Sequence, residues 1–230
     1  MSSLPFSNLD LETTDINAIT SIFDTLKQSF DVSYDLEFSY DFSSLEIFAN
    51  RKINVGPTIR VSDKFHPFHL VFIQVGYSYA YARRYSFGLT YEYQTWGVAN
   101  LKTDGGHVLI KPETLADKIH ELLNPIEIDF PDDPGFSKKH YVVSNDEEKT
   151  RSLVNQSFRN HVNQIPVNEF IIEILNNKLI IGNRKVIEQQ DAIGFAKFMN
   201  QISAWQNNSR QHMACRRPSN LVTLPAEPHY

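Results

Sequence analysis

Apolar residues Ile16, Ile19, Phe23, Leu26 and Phe30 recur at spacings of 3, 4, 3 and 4, the stripe of an amphipathic helix. That periodicity predicts a helix over 14–30, with Thr13 or Thr14 capping its first amides and Asp15 favourable against the macrodipole. From residue 32 to 101 the period falls to two, with Phe, Tyr, Val and Ile alternating with polar residues between breakers such as Asn50, Gly56-Pro57, His66-Pro67 and Gly88. Alternation of this kind predicts strands at 45–49, 53–61, 69–75, 86–93 and 95–101, and at 107–110 after the turn Asp104-Gly105-Gly106. Pro112 suits the first turn of a helix over 112–123, whose buried side is Leu115, Ile119, Leu122 and Leu123.

Further on, a short strand at 126–130 leads through Pro131-Asp132-Asp133-Pro134-Gly135 to a strand near 140–143. Ser144 or Asn145 is placed to cap a helix that begins Asp146-Glu147-Glu148 and turns Leu153, Val154, Phe158 and Val162 inward. Runs 169–175 and 178–182 flank Asn176-Asn177, residues that tolerate positive φ, and so predict a hairpin. Phe195, Ala196, Met199, Ile202 and Trp205 mark a last helix, after which 207–230 shows little periodicity. Helices and strands are segregated along the chain instead of alternating regularly. The expected class is therefore α+β: largely antiparallel sheet packed against four amphipathic helices, with a C-terminal hairpin and helix. Residues 1–206 form one unit with a sub-boundary allowed at 131–135, and 207–230 a flexible tail.

Composition narrows the function classes. A formal charge of −5 over 230 residues disfavours nucleic acid as a partner, because no broad positive field meets the phosphates. The single cysteine, Cys215, can form neither an internal bridge nor a thiolate cage, which points to a reducing, cytoplasmic setting. No basic leader precedes an apolar run, and no stretch reaches the roughly 18 apolar residues of a membrane span.

Several segments have a recognisable pattern in common with a known group. The aromatic run Tyr91-Glu92-Tyr93-Gln94-Thr95-Trp96, then Ile110-Lys111-Pro112-Glu113, Ile128-Asp129-Phe130 and Gly135-Phe136-Ser137-Lys138-Lys139-His140-Tyr141-Val142-Val143 come in sequence. They are followed by Asp146-Glu147-Glu148 and the hairpin over 170–182. Over 72–205 the chain resembles a widespread bacterial family of uncharacterised α+β proteins with a DUF3137-like pattern. The resemblance implies a compact α+β domain with no assigned activity and no functional residue to transfer. Several members of that family have two N-terminal membrane helices, where this chain has an amphipathic one.

Several motifs carry residue types with candidate chemistry. His66 and His69 near Asp63 are metal-ligand types, but Pro67 denies them a helical face and the strand reading is favoured. Asp104-Gly105-Gly106-His107 is a plain turn before it is an anion cradle, since it lacks the lysine and hydroxyl residue of a P-loop. Asp129, Asp132 and Asp133 suit local capping better than a cation site. Cys215 beside Arg216 and Arg217 lacks a positioned base. No catalytic residue, metal ligand or cofactor is therefore expected.

The most distinctive chemistry is tyrosine-rich. Alternation puts Tyr77, Tyr79 and Tyr81 on one sheet face, with Arg83 and Arg84 following, Tyr91 and Tyr93 on the strand over 86–93 and Trp96 on that over 95–101. Aromatics and arginine suit protein interfaces, so the expected function is a non-enzymatic protein-binding or scaffold domain with a protein or peptide partner, a homo-oligomer being allowed. Two alternatives are a hydrolase or transferase using His107 with Asp104, and a peripheral membrane-protein partner docking through the helix at 14–30.

Overall fold

The computed structural model describes residues 11–62, 67–81, 86–113 and 126–214, with 78–81, 86–89 and 208–214 as backbone alone. Nine strands form one sheet in the order β1-β2-β3-β4-β9-β8-β5-β7-β6, and every neighbouring pair is antiparallel. The strands are β1 (Asp31–Tyr34), β2 (Ile53–Ser62), β3 (Phe68–Tyr81), β4 (Ser86–Asn100), β5 (His107–Pro112), β6 (Ile126–Glu127), β7 (His140–Ser144), β8 (Ile171–Leu175) and β9 (Lys178–Gly182). The protein is thus α+β with one large antiparallel sheet.

Alternation along these strands sorts the core into two layers. On one face, α1 (Thr13–Leu26) sets Ile19, Ile22 and Leu26 against Ile59, Val61, Phe68, Leu70 and Phe72, so the apolar stripe of this helix is consumed by the sheet. Beside it α5 (Gln189–Ala214) lays Phe195, Met199 and Ile202 over the middle strands. Gly97 makes that approach possible, because a Cβ there would sit 3.1 Å from Ile181 and 3.2 Å from Met199. The opposite face carries Val71, Ile73, Val75, Trp96, Val98, Leu109 and Ile180 and is roofed by irregular chain bearing Phe38, Tyr40, Phe42, Leu45, Ile47 and Phe48.

Several elements differ from expectation. Residues 45–49 are not a strand: the chain makes two 3-10 turns, Phe42–Ser44 and Glu46–Phe48, as it crosses that face. The two strands expected at 86–93 and 95–101 are the single strand β4, paired with β3 without a break from Ser86 to Val98. Pro112 ends β5 opposite His140 instead of opening a helix; the remainder of the expected helix lies outside the described residues. The proline-bounded turn holds the one-turn helix α2 (Pro134–Ser137), capped by Asp133. The acidic helix is two: α3 (Glu147–Leu153), capped by Asp146, and α4 (Gln156–Asn163), capped by Asn155, with Val154 leaving helical geometry between them. Five α-helices are therefore present among the described residues, against four expected. The last helix runs through Ala214, past the boundary read at 207, and 215–230 lie outside the described residues.

Candidate functional site

The hydrogen-bond register separates residues that sequence had grouped. Tyr77 pairs with Thr90, Tyr79 with Gly88 and Tyr81 with Ser86, so these three tyrosines share a sheet face with the even-numbered residues of β4, Trp96 among them. Gly76 pairs with Tyr91 and Gln74 with Tyr93, which places Tyr91 and Tyr93 on the opposite face. Of the residues expected to act together, Tyr77, Tyr79, Tyr81 and Trp96 are thus divided by the sheet from Tyr91 and Tyr93. Trp96 is fully buried and Tyr93 is 7% exposed, whereas Tyr91 keeps 37% of its surface. Side chains of Tyr79 and Tyr81 and all of Arg83 and Arg84 lie outside the described residues.

Tyr77 joins the projecting part of β3 to the core. Gln94 Nε2 donates to its hydroxyl, and Trp96 Nε1 donates to Gln94 Oε1 at 3.2 Å. Arg51 lies 5.1 Å from the centre of the Tyr77 ring on this face, and Lys52 lies 5.9 Å from the Tyr91 ring on the other. Beyond this base no other strand among the described residues pairs with β3 or β4. The last residue of β3 paired with β2 is Val75, opposite Ile53, while β9 reaches β4 only at Trp96. Six further β3–β4 pairs, from Gly76↔Tyr91 to Tyr81↔Ser86, build a two-stranded ribbon.

The main polar site inside the fold is one that sequence reasoning missed. Glu173, fully buried in the middle of β8, accepts the Glu46 N–H at 2.8 Å and the Ile47 N–H at 2.9 Å. His107 Nε2 sits 2.7 Å from its Oε1. The expected partner Asp104 is engaged elsewhere, accepting the Gly106 N–H at 2.9 Å and the Lys149 ammonium at 2.7 Å. These contacts, Lys149 foremost, hold its carboxyl below the usual range. Sequence did carry a signal for Glu173: a lone carboxylate inside the apolar run Phe170-Ile171-Ile172-Glu173-Ile174-Leu175.

The remaining candidates are structural. His69 pairs with Asp35 at 3.0 Å and its ring lies tilted against Phe38, centroids 4.6 Å apart; burial pushes its pKa down and outweighs the carboxylate. Asp133 caps α2 and, with Asp132, holds Arg159, which is 2% exposed, donates to the Val154 carbonyl at 3.0 Å and lies 4.5 Å from the Phe130 ring centre. Burial raises the Asp133 pKa, but Gln156, the Phe136 N–H and Arg159 together bring it below the ordinary value. Among the described residues no three His, Cys, Asp or Glu side chains gather as a metal site, and no helix is long and apolar enough to cross a membrane. His66, Asp63 and Cys215 lie outside those residues.

No protein-family model matches the sequence, and no curated protein sequence does. Among solved structures, the chain is similar to the crystal structure of the mycobacterial trehalose monomycolate transport factor A, TtfA. The identity is 10% and the TM-score 0.48, over 86% of this chain and 96% of that one.

Proposed function

We propose that this chain is a bacterial, cytoplasmic, non-enzymatic protein-binding or scaffold domain that presents the β3–β4 ribbon to a protein or peptide partner. The observation that carries the reading is the run of six strand pairs beyond the body of the sheet. A two-stranded ribbon is marginal in water by itself, so extending one costs order that contact with a partner offsets. Tyr77, Tyr79 and Tyr81 on one of its faces supply rigid amphipathic area at low entropic cost. The motif resemblance to the DUF3137-like family belongs to this proposal in the same measure, as a domain without assigned chemistry. Replacing Tyr79, Tyr81 and Arg84 together by alanine should abolish retention of a co-purifying protein and shift the melting temperature by no more than about 4 °C. Retention at the wild-type level would overturn the reading.

A second reading, a hydrolase or transferase of unfamiliar type, draws on His107 and Glu173. Both Glu173 oxygens already accept backbone amides from the 3-10 turn, which supports a clamp more than a proton relay. The third, docking to a membrane protein through the N-terminal helix, needs an exposed stripe, and Ile19, Ile22 and Leu26 are buried.

A further inference from the structure

The outward edge of β4 has a polarity that follows from its neighbours. The Gly76 N–H donates to the Lys52 carbonyl at 2.8 Å, on the β2 side of β3. Gly76↔Tyr91 is therefore a pair whose amides point away from each other, so the Tyr91 N–H and C=O face the other edge of β4. The same parity holds at the far end of the strand, where the Leu101 N–H donates to the Asn177 carbonyl at 2.7 Å. Phe87, Leu89 and Tyr91 thus present donors and acceptors to an edge along which no strand pairs among the described residues. From Ser86 to Thr95 this edge contains no proline and no lysine, the residues that usually blunt exposed edges.

A groove of about 600 Å³ runs beside it, between β4 at Thr90 to Tyr93, the first turns of α1 and the chain at Val186 and Ile187. Its charged lining is Glu12, Asp15 and Glu92, with no lysine or arginine. Burial raises the Asp15 pKa, the Glu12 N–H that its carboxylate accepts works against that, and the neighbouring Glu12 charge adds a smaller rise, so a cation placed beside the pair is favoured.

We infer that this edge accepts an extended, basic peptide segment as an added antiparallel or parallel strand, its backbone pairing with Leu89 and Tyr91 and its cations, on the face of α1, reaching Glu12 and Asp15. Main-chain pairing supplies the affinity and the carboxylates select the charge. The inference rests on the protein-binding reading but uses the edge of the ribbon and its groove, not the tyrosine face.

The probe is a synthetic eight-residue peptide of alternating lysine and valine, titrated against the full chain by fluorescence anisotropy, with an alternating glutamate and valine peptide as control. The lysine peptide should bind about tenfold or more tightly than the control. Tyr91→Pro, which removes an outward amide without breaking a bond to β3, should abolish binding, and Tyr91→Ala should largely retain it. E12Q and D15N combined should weaken binding about tenfold and flatten its salt dependence, which keeps the inference testable should the proline variant fold poorly. Equal binding of both peptides, no binding of either, or binding unaffected by Tyr91→Pro would overturn the inference. So would a wild-type dimer in sedimentation that Tyr91→Pro converts to monomer, since the occupant would then be a second copy. The Tyr79, Tyr81 and Arg84 alanine variant should bind the peptide normally, so failure here and failure of the tyrosine-face reading are separable.

Discussion

Glu173 shows how much one side chain holds together. Its carboxylate caps the start of the 3-10 turn at Glu46 and Ile47, fixes His107, and so pins the irregular roof to the sheet. Removing it leaves two amide donors without an acceptor in a buried site, so Glu173→Ala should cost about 3–5 kcal/mol in urea denaturation. Glu173→Gln, which keeps one acceptor oxygen, should cost less. Gly182 is the second sensitive position, for steric reasons. A Cβ there would enter the Trp96 indole and sit 2.7 Å from the Thr95 carbonyl, and backbone cannot yield as a flexible side chain can. Gly182→Ala should therefore cost about 1–3 kcal/mol by the same measurement.

At the scale of elements, local signals placed most helices and strands, and the exceptions have identifiable causes. Residues 45–49 have strand composition, yet their amides turn to Glu173, a residue distant in sequence, and to local 3-10 bonds. Gln94, left between the two strands expected at 86–93 and 95–101, has its side chain satisfied by Tyr77 and Trp96 while its backbone stays in the ladder. Gly56-Pro57, another apparent breaker, sits in a register shift between Val55 and Thr58 within β2. The ribbon, conversely, is an addition to the sheet. Replacing 78–89 by an Asn-Gly turn between Tyr77 and Thr90, which already face each other, should leave the melting temperature within about 4 °C of wild type. A much larger loss would mean that the ribbon belongs to the stability core and not to a binding surface.

For the molecule as a whole, pH dependence follows from histidines the fold holds neutral. Burial lowers the pKa of His69, His140 and His161 from the usual 6.5. In each case the unfolded chain takes up the proton more readily, so their contribution is complete above about pH 6.5 and is lost as pH falls through the folded values. The urea midpoint should accordingly drop between about pH 7 and pH 5, and His140→Gln should flatten that slope. His140 suits the test because it packs between Phe136 and Phe170 and touches neither the ribbon nor the groove.

By itself the sequence determined what is local. The helical stripe from Ile16 to Leu26, the alternation in β2 to β4 and the positive φ of 56° at Asn176 are set by the residues that show them, although the helix read over 14–30 stops at Leu26 and has Glu12, not Thr13 or Thr14, at its N-cap. It also marked the tyrosines as unusual, yet which of them share a face depends on one strand or two between Ser86 and Asn100, and that was decided by pairing with β3. Glu173 beside His107, the roof over the second sheet face and the open edge of β4 all join residues far apart in the chain. Such contacts leave no period in the sequence, because what selects them is the burial of a charge or the absence of a neighbouring strand, and both exist only after the sheet has closed around them.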